Sequence, residues 1–352
     1  MSATASKHHP LRSISSAEGA AVAFGQPSPP VWPSFNGTSQ FVGQSPSGRV
    51  TVFVDPDLGQ PALQNAQDLV NDADRVVTAN DALFASVGGP VNVIVFALNG
   101  ATDGTGGADH SGCDYTSGAA IEVCASFGAS NRISALFEAE LSECSMGGNL
   151  CGVSTGEALS RWCAAEIGNN ALSDFATAPQ WAQDGEPDFV NRTDGTDQSA
   201  DSTGCGMAFL SWLMSQGKGL DQIAPAMVAL GDTGTLAQLY ANLTSDAMEN
   251  AFPNFMAAVQ ALPNGITDDD PFGGGQARQL APRTVAFAAK VLSRIVDDIV
   301  SGKPEHQIVA GVRAALGTLP AVNRPRPTAN VCTVGSRRLL PPNTPPRKGP
   351  RR

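Results

Sequence analysis

The chain has 352 residues, 42% hydrophobic and 16% charged, which is enough to bury a core of ordinary size. Its formal net charge is −11, and eight Arg or Lys with no acid fall in 324–352, leaving −11 − 8 = −19 for the rest. So acidic a body argues against general binding to nucleic acid or anionic membrane, and no run of about 18 apolar residues is present to insert in a bilayer.

Residues 1–47 are rich in Ser, Pro, Gly and Ala and are expected to be a disordered leader without the apolar stretch of a secretory signal. The pair His8 and His9 in that leader is given no metal role. Residues 49–55 (RVTVFVD) predict a strand, 62–86 a long helix with Leu63, Ala66, Leu69, Val70, Ala73 and Val77 on one face, and 91–98 (VNVIVFAL) a central strand. A loop rich in Gly and Asp follows over 100–118 and holds His110, the only His of this half. Residues 119–125 (AAIEVCA) read as an edge strand.

The organising stretch is 131–161, expected as two helices joined by a turn containing Gly and Cys. Ile133, Leu136, Phe137, Leu141 and Cys144 share one face of the first helix, with Glu140 in its middle. A carboxylate there is costly to bury unless paired or protonated, and Arg132 or Arg161 would be its partner in a purely structural role.

After an irregular acidic stretch at 174–201, helices are expected over 202–216, 219–230, 235–243 and 246–262. A linker (265–282), a helical hairpin (283–319) and a disordered basic tail (320–352) complete the chain. The fold class is therefore α+β: a small mixed sheet with one long helix and a central helix pair over 48–170, then an all-helical half over 171–264.

Six of seven cysteines lie between Cys113 and Cys205, and Cys113/Cys124, Cys144/Cys151 and Cys163/Cys205 are candidate disulfide pairs, which leans towards an extracytoplasmic or secreted location. There is no CxxC, no GxSxG, and no GxGxxG between a strand and a helix. The acids from Asp184 to Asp201 lack EF-hand spacing and read as a solvated loop. Trp181, Phe189 and Trp212 read as core residues, with a peptide- or sugar-lining groove as the alternative.

Ala139-Glu140-Leu141-Ser142-Glu143, the follow-on Gly156-Glu157-Ala158-Leu159-Ser160-Arg161, and an α+β half feeding a helical half together resemble the zincin metallopeptidases of the gluzincin type. In wording such as GEALSRWCA and STGC-MAFLSWL, 48–262 is also similar to a group of uncharacterised, mostly bacterial proteins. The zincin resemblance implies Glu140 as general base, Glu143 and Glu157 as second and third metal ligands, and Ala139 where the first ligand belongs.

Ala cannot bind metal, so the expectation is a degenerate metallopeptidase, a pseudoenzyme with a binding or structural role, no expected cofactor, and a peptide or protein as possible ligand. The alternative is a divergent metal-dependent hydrolase using zinc or another divalent cation, with Glu140 as base, Glu143 and Glu157 as ligands, and His110 replacing the missing imidazole if its loop folds over the cleft.

Overall fold

The most continuous apolar runs in the chain become its parallel strands, as expected for strands covered on both faces. The computed structural model describes residues 27–112, 119–147 and 150–273. Five strands form one sheet: β1 (Gln40–Gln44), β2 (Val50–Val54), β3 (Val91–Phe96), β4 (Ala108–Ser111) and β5 (Ala119–Cys124). The order is β1-β2-β3-β5-β4, with β2, β3 and β5 parallel and the two edges antiparallel.

Eight α-helices accompany the sheet among the described residues. They are α1 (Gly59–Phe84), α2 (Ser130–Ser145), α3 (Ser154–Gly168), α4 (Ala178–Gln183), α5 (Ala200–Ser215), α6 (Leu220–Leu230), α7 (Leu236–Thr244) and α8 (Ala251–Gln260). The molecule is thus α+β with a mixed sheet, and no helix is long and apolar enough to cross a membrane among the described residues.

One hydrophobic core lies between the sheet, α1 and α2, and a second is built from α3 to α8. Helix α3 links them, and small residues make that possible. A Cβ on Gly168 would sit 2.5 Å from Ala135 of α2, and one on Gly206 of α5 would sit 2.6 Å from Ala158 of α3. Both separations are closer than side-chain carbons approach, so α3 is pressed against a helix on each side. Polar ties fix α1 alongside α2: Ser130 Oγ donates to Asp68, and Asn80 Nδ2 donates to Ser145 Oγ at 2.8 Å.

Four expectations change. The leader is ordered from residue 27, with Trp32 buried and β1 formed inside it, because Glu122 of β5 clamps it. That wholly buried carboxylate accepts from Ser34 N (3.0 Å), Phe35 N (2.7 Å) and Ser34 Oγ (2.6 Å). The loop at 100–118 contains the edge strand β4, so β5 is an interior strand with every residue buried.

The irregular stretch at 174–201 contains α4, whose Trp181 is wholly buried and stacks on Phe255, and Trp212 stacks on Tyr240 in the same core. The three cysteine pairs do not form: Cys124, Cys144, Cys163 and Cys205 are buried free thiols, each fixed in a different strand or helix. Only Cys151 is engaged in a disulfide among the described cysteines, and its partner lies outside the described residues. His8 and His9, most of the linker, the helical hairpin and the basic tail lie outside them too.

Candidate functional site

One turn after another, Leu136, Ala139, Glu140 and Glu143 of α2 face the same cavity, of about 730 Å³. The antiparallel edge strand β4 supplies Asp109 and His110 to that cavity, and α3 supplies Glu157, Ser160, Arg161 and Trp162. The sheet register is what delivers the imidazole. His110 pairs with Ile121 of β5, which sets its place along the edge of the sheet beside α2.

His110, Glu140, Glu143 and Glu157, the residues that the sequence singles out, all line this one cavity. His110 Nε2 lies 3.2 Å from Glu143 Oε2 and 3.9 Å from Glu140 Oε2. Its other nitrogen, Nδ1, lies 2.9 Å from the carbonyl oxygen of Gly112 and 3.5 Å from Cys144 Sγ. Ser160 Oγ donates to Glu143 Oε1 at 3.1 Å, so both Glu143 oxygens are held. Arg161 Nε donates to Glu157 Oε1 at 2.5 Å and its Nη1 to the carbonyl of Phe175 at 2.7 Å. Neither cation suggested for Glu140 reaches it as an ion pair: Arg161 holds Glu157, and Arg132 holds Asp174 at 2.6 Å.

These contacts divide the protons unequally. Burial alone would lower the His110 imidazole, but the Cys144 sulfur and the Glu143 and Glu140 carboxylates prevail and raise it to about 11. Burial opposes ionisation of Glu143, yet hydrogen bonds with His110, Glu157 and Ser160 keep it below the usual carboxylate range. Burial, followed by the charge of Glu143, pushes Glu140 well up, with His110 pulling the other way. Burial with Glu143 alongside outweighs Arg161 and lifts Glu157 to about 7. Two carboxyl groups beside an ionised one are therefore ready to carry protons at neutral pH.

Three side chains form a candidate metal-binding group. One ligand atom each from His110, Glu143 and Cys151 lies within 4.8 Å of the others, the one such group among the described residues. The disulfide takes Cys151 out of that set, because a metal binds thiolate sulfur. What remains of the group is one imidazole and one carboxylate, His110 and Glu143, with Glu157 lining the same cavity outside the group. The Nδ1 contact with a backbone carbonyl is the arrangement that fixes the tautomer of a ligating His and leaves Nε2 for the ion. In the protein without an ion, a proton on Nε2 fills the same role.

Sequence reasoning missed Ser160 and Arg161 as the groups that hold Glu143 and Glu157, although both stand in the quoted α3 motif at one-turn spacing from Glu157. It also missed Glu138, which is 0% exposed on another side of α2 with no hydrogen-bond partner for either oxygen among the described residues. The chain matches no family model, no curated protein and no solved structure.

Proposed function

We propose that the chain is a divergent divalent-metal-dependent hydrolase acting on peptide bonds, with His110, Glu143 and Glu157 as metal ligands and Glu140 as general base. The observation that carries the reading is the position of His110. A helix with Ala139 at its first ligand position is joined at that cavity by an imidazole from a different element, with Nε2 towards Glu140 and Glu143. The layout of an α+β half, a helix pair and a helical half supports the zincin-like part of the proposal.

An ion bound there supplies a Lewis acid that makes water nucleophilic at neutral pH. The chain's own residues supply the rest. Glu140 lines the cavity, makes no hydrogen bond among the described residues and has a raised proton affinity, so it is suited to accept a proton and return it to a leaving amine. Ser160 and the Gly112 carbonyl hold Glu143 and His110 in fixed orientations. Arg161 keeps Glu157 turned towards Glu143.

The opposing reading, a pseudoenzyme with a binding role, rests on Ala139 and on the existing ion pair between His110 and Glu143. Elemental analysis of the dialysed protein separates the two readings. The hydrolase reading expects about one zinc or other divalent ion per chain, and cleavage of a peptide library that falls about 10²- to 10⁴-fold in Glu140→Gln with the ion retained. A metal-free, inactive protein that takes up no added zinc, cobalt or manganese leaves the pseudoenzyme reading standing.

A further inference from the structure

The turn between α2 and α3 brings a sulfur to the imidazole. Cys151 Sγ lies 3.8 Å from His110 Nε2, the same nitrogen that stands 3.2 Å from Glu143 Oε2. One atom from each of the three residues falls within 4.8 Å of the others. A tetrahedral ion bonded at about 2.0–2.2 Å to nitrogen and oxygen and about 2.3 Å to sulfur holds nitrogen and oxygen about 3.4 Å apart, and nitrogen and sulfur about 3.6 Å apart. Both separations in this protein agree with those spacings to about 0.2 Å. The sulfur is nevertheless withheld, because it is joined in a disulfide and a metal takes a thiolate.

The backbone beside Cys151 is fixed without help from that disulfide. Leu150 is 1% exposed, its N donates to Asp232 Oδ1 at 2.6 Å, and its carbonyl accepts from Val153 N at 3.1 Å. A Cβ on Gly156 would sit 2.0 Å from the Leu150 carbonyl oxygen, so the first turn of α3 closes directly on this residue. Leu150 is held at φ 72°, a left-handed conformation that a residue with a side chain adopts when its surroundings impose it. Opening the disulfide therefore leaves the sulfur beside His110. Cys151 is also partly exposed, whereas Cys124, Cys144, Cys163 and Cys205 are buried. A disulfide at such a position is open to attack by a thiol.

We infer that Cys151 is a latent metal ligand: reduction of its disulfide adds a thiolate to His110 and Glu143 and raises the affinity of the site for zinc. The reductant is a dithiol. One of its thiolates attacks a disulfide sulfur to form a mixed disulfide, and its second thiolate displaces the remaining protein sulfur. The protein gains two thiols, the reductant leaves as a cyclic disulfide, and the Cys151 thiol gives its proton to solvent when the ion binds. The inference rests on the metal reading of this cavity and adds its regulation.

The test compares the full chain purified without reductant with the same chain after dithiothreitol treatment and anaerobic desalting. Each is titrated with cobalt(II) followed by absorbance, and with zinc in competition with a chromogenic chelator. A sulfur-to-cobalt charge-transfer band is expected only after reduction. Zinc should then bind about 100-fold or more tighter, since a ligand gained outweighs the roughly 10- to 100-fold that an outer-shell partner contributes. Cys151→Ser should lack both gains, and Cys144→Ser should keep them although its sulfur lies 3.5 Å from His110 Nδ1. Helical circular dichroism should not change on reduction. The inference is overturned by a Cys151 that alkylates before reduction, by cobalt spectra and zinc affinity indifferent to redox state, by gains that Cys151→Ser retains, or by unfolding on reduction. Peptide cleavage is scored separately in both states. Redox-dependent metal uptake without cleavage upholds the inference and counts against the hydrolase. Cleavage with equal metal affinity in both states overturns the inference alone, and no metal uptake in either state overturns both.

Discussion

Replacing Glu138 with Leu is expected to stabilise the protein. Glu138 is 0% exposed, and neither carboxylate oxygen has a hydrogen-bond partner among the described residues. Burial drives its proton affinity well above the usual carboxylate range, with the nearby charge of Arg75 lowering it and that of Asp81 raising it. A buried carboxyl without a bonded partner costs about 1–3 kcal/mol relative to water, and an apolar side chain of similar volume removes that cost. The variant should therefore gain about 1–3 kcal/mol near pH 4, where the native carboxyl is protonated, which in a chain of this size is about 2–4 °C in Tm per kcal/mol.

The pH dependence has a definite sign. The folded-state pKa is raised, so above an unfolded value of about 4.3 the native state holds more protons than the unfolded one, and stability falls as pH rises through that window. Each unit of pH between the unfolded and folded values costs about 1.4 kcal/mol. The gap between Glu138→Leu and wild type is thus smallest near pH 4 and widens upwards, and Glu138→Gln, which cannot ionise, should share the flatter profile. Urea unfolding followed by circular dichroism across that range measures it. A Leu variant less stable than wild type at every pH, or a gap that does not move with pH, would refute the reasoning and mean that the carboxylate is solvated or bonded in place.

Other substitutions test the site and the packing around it. His110→Ala leaves Glu140 and Glu143 facing each other without their cation, and should cost about 3 kcal/mol in urea unfolding; under the proposed hydrolase it also abolishes metal uptake. Ser160→Ala removes the donor to Glu143 Oε1 and, under the proposed hydrolase, should weaken metal binding about 10- to 100-fold, read by competition with a chromogenic chelator, with little change in helical circular dichroism. Gly206→Val pushes its side chain into Ala158 and should destabilise by about 1–3 kcal/mol, visible as a lower Tm. Cys124, Cys144, Cys163 and Cys205 should resist a thiol reagent in the native protein and react in denaturant without reductant.

What the sequence made legible were the segments whose environment repeats with a simple period. The parallel strands β2 and β3 read as apolar runs because both of their faces are covered, and α1 reads as a helix because one stripe of it is. Helix α2 reads correctly for Ile133, Phe137, Leu141 and Cys144, all 0% exposed. It misleads at Glu138 and Glu140 because α2 packs against α1, α3, β4 and β5 together. A helix covered on several sides buries residues outside its apolar stripe, so Ser134, Glu138 and Ser142 are buried with no periodic signal to announce them. The gap in that cover is the cavity, and Glu140 falls at it rather than in the middle of the core.

The imidazole was harder to place for a different reason. Strand β4 is only Ala-Asp-His-Ser, with no alternation of apolar residues, and it exists because its backbone pairs with β5. Nothing local in four such residues specifies a strand; the partner does, through long-range pairing that a one-dimensional pattern cannot carry. A cavity residue on a helix, as at Glu143, is therefore visible as a motif position, whereas one on an edge strand is visible only once the register is known. The same contrast changes the meaning of Ala139. Read along the helix, it deletes the first ligand and argues for an inert scaffold. Read in space, the cavity beside it holds an imidazole nitrogen 3.2 Å from Glu143, which is the observation the proposed metal site rests on. The presence of the motif's residues one after another in the chain is thus a weaker test of metal chemistry than the convergence of suitable donors on one cavity.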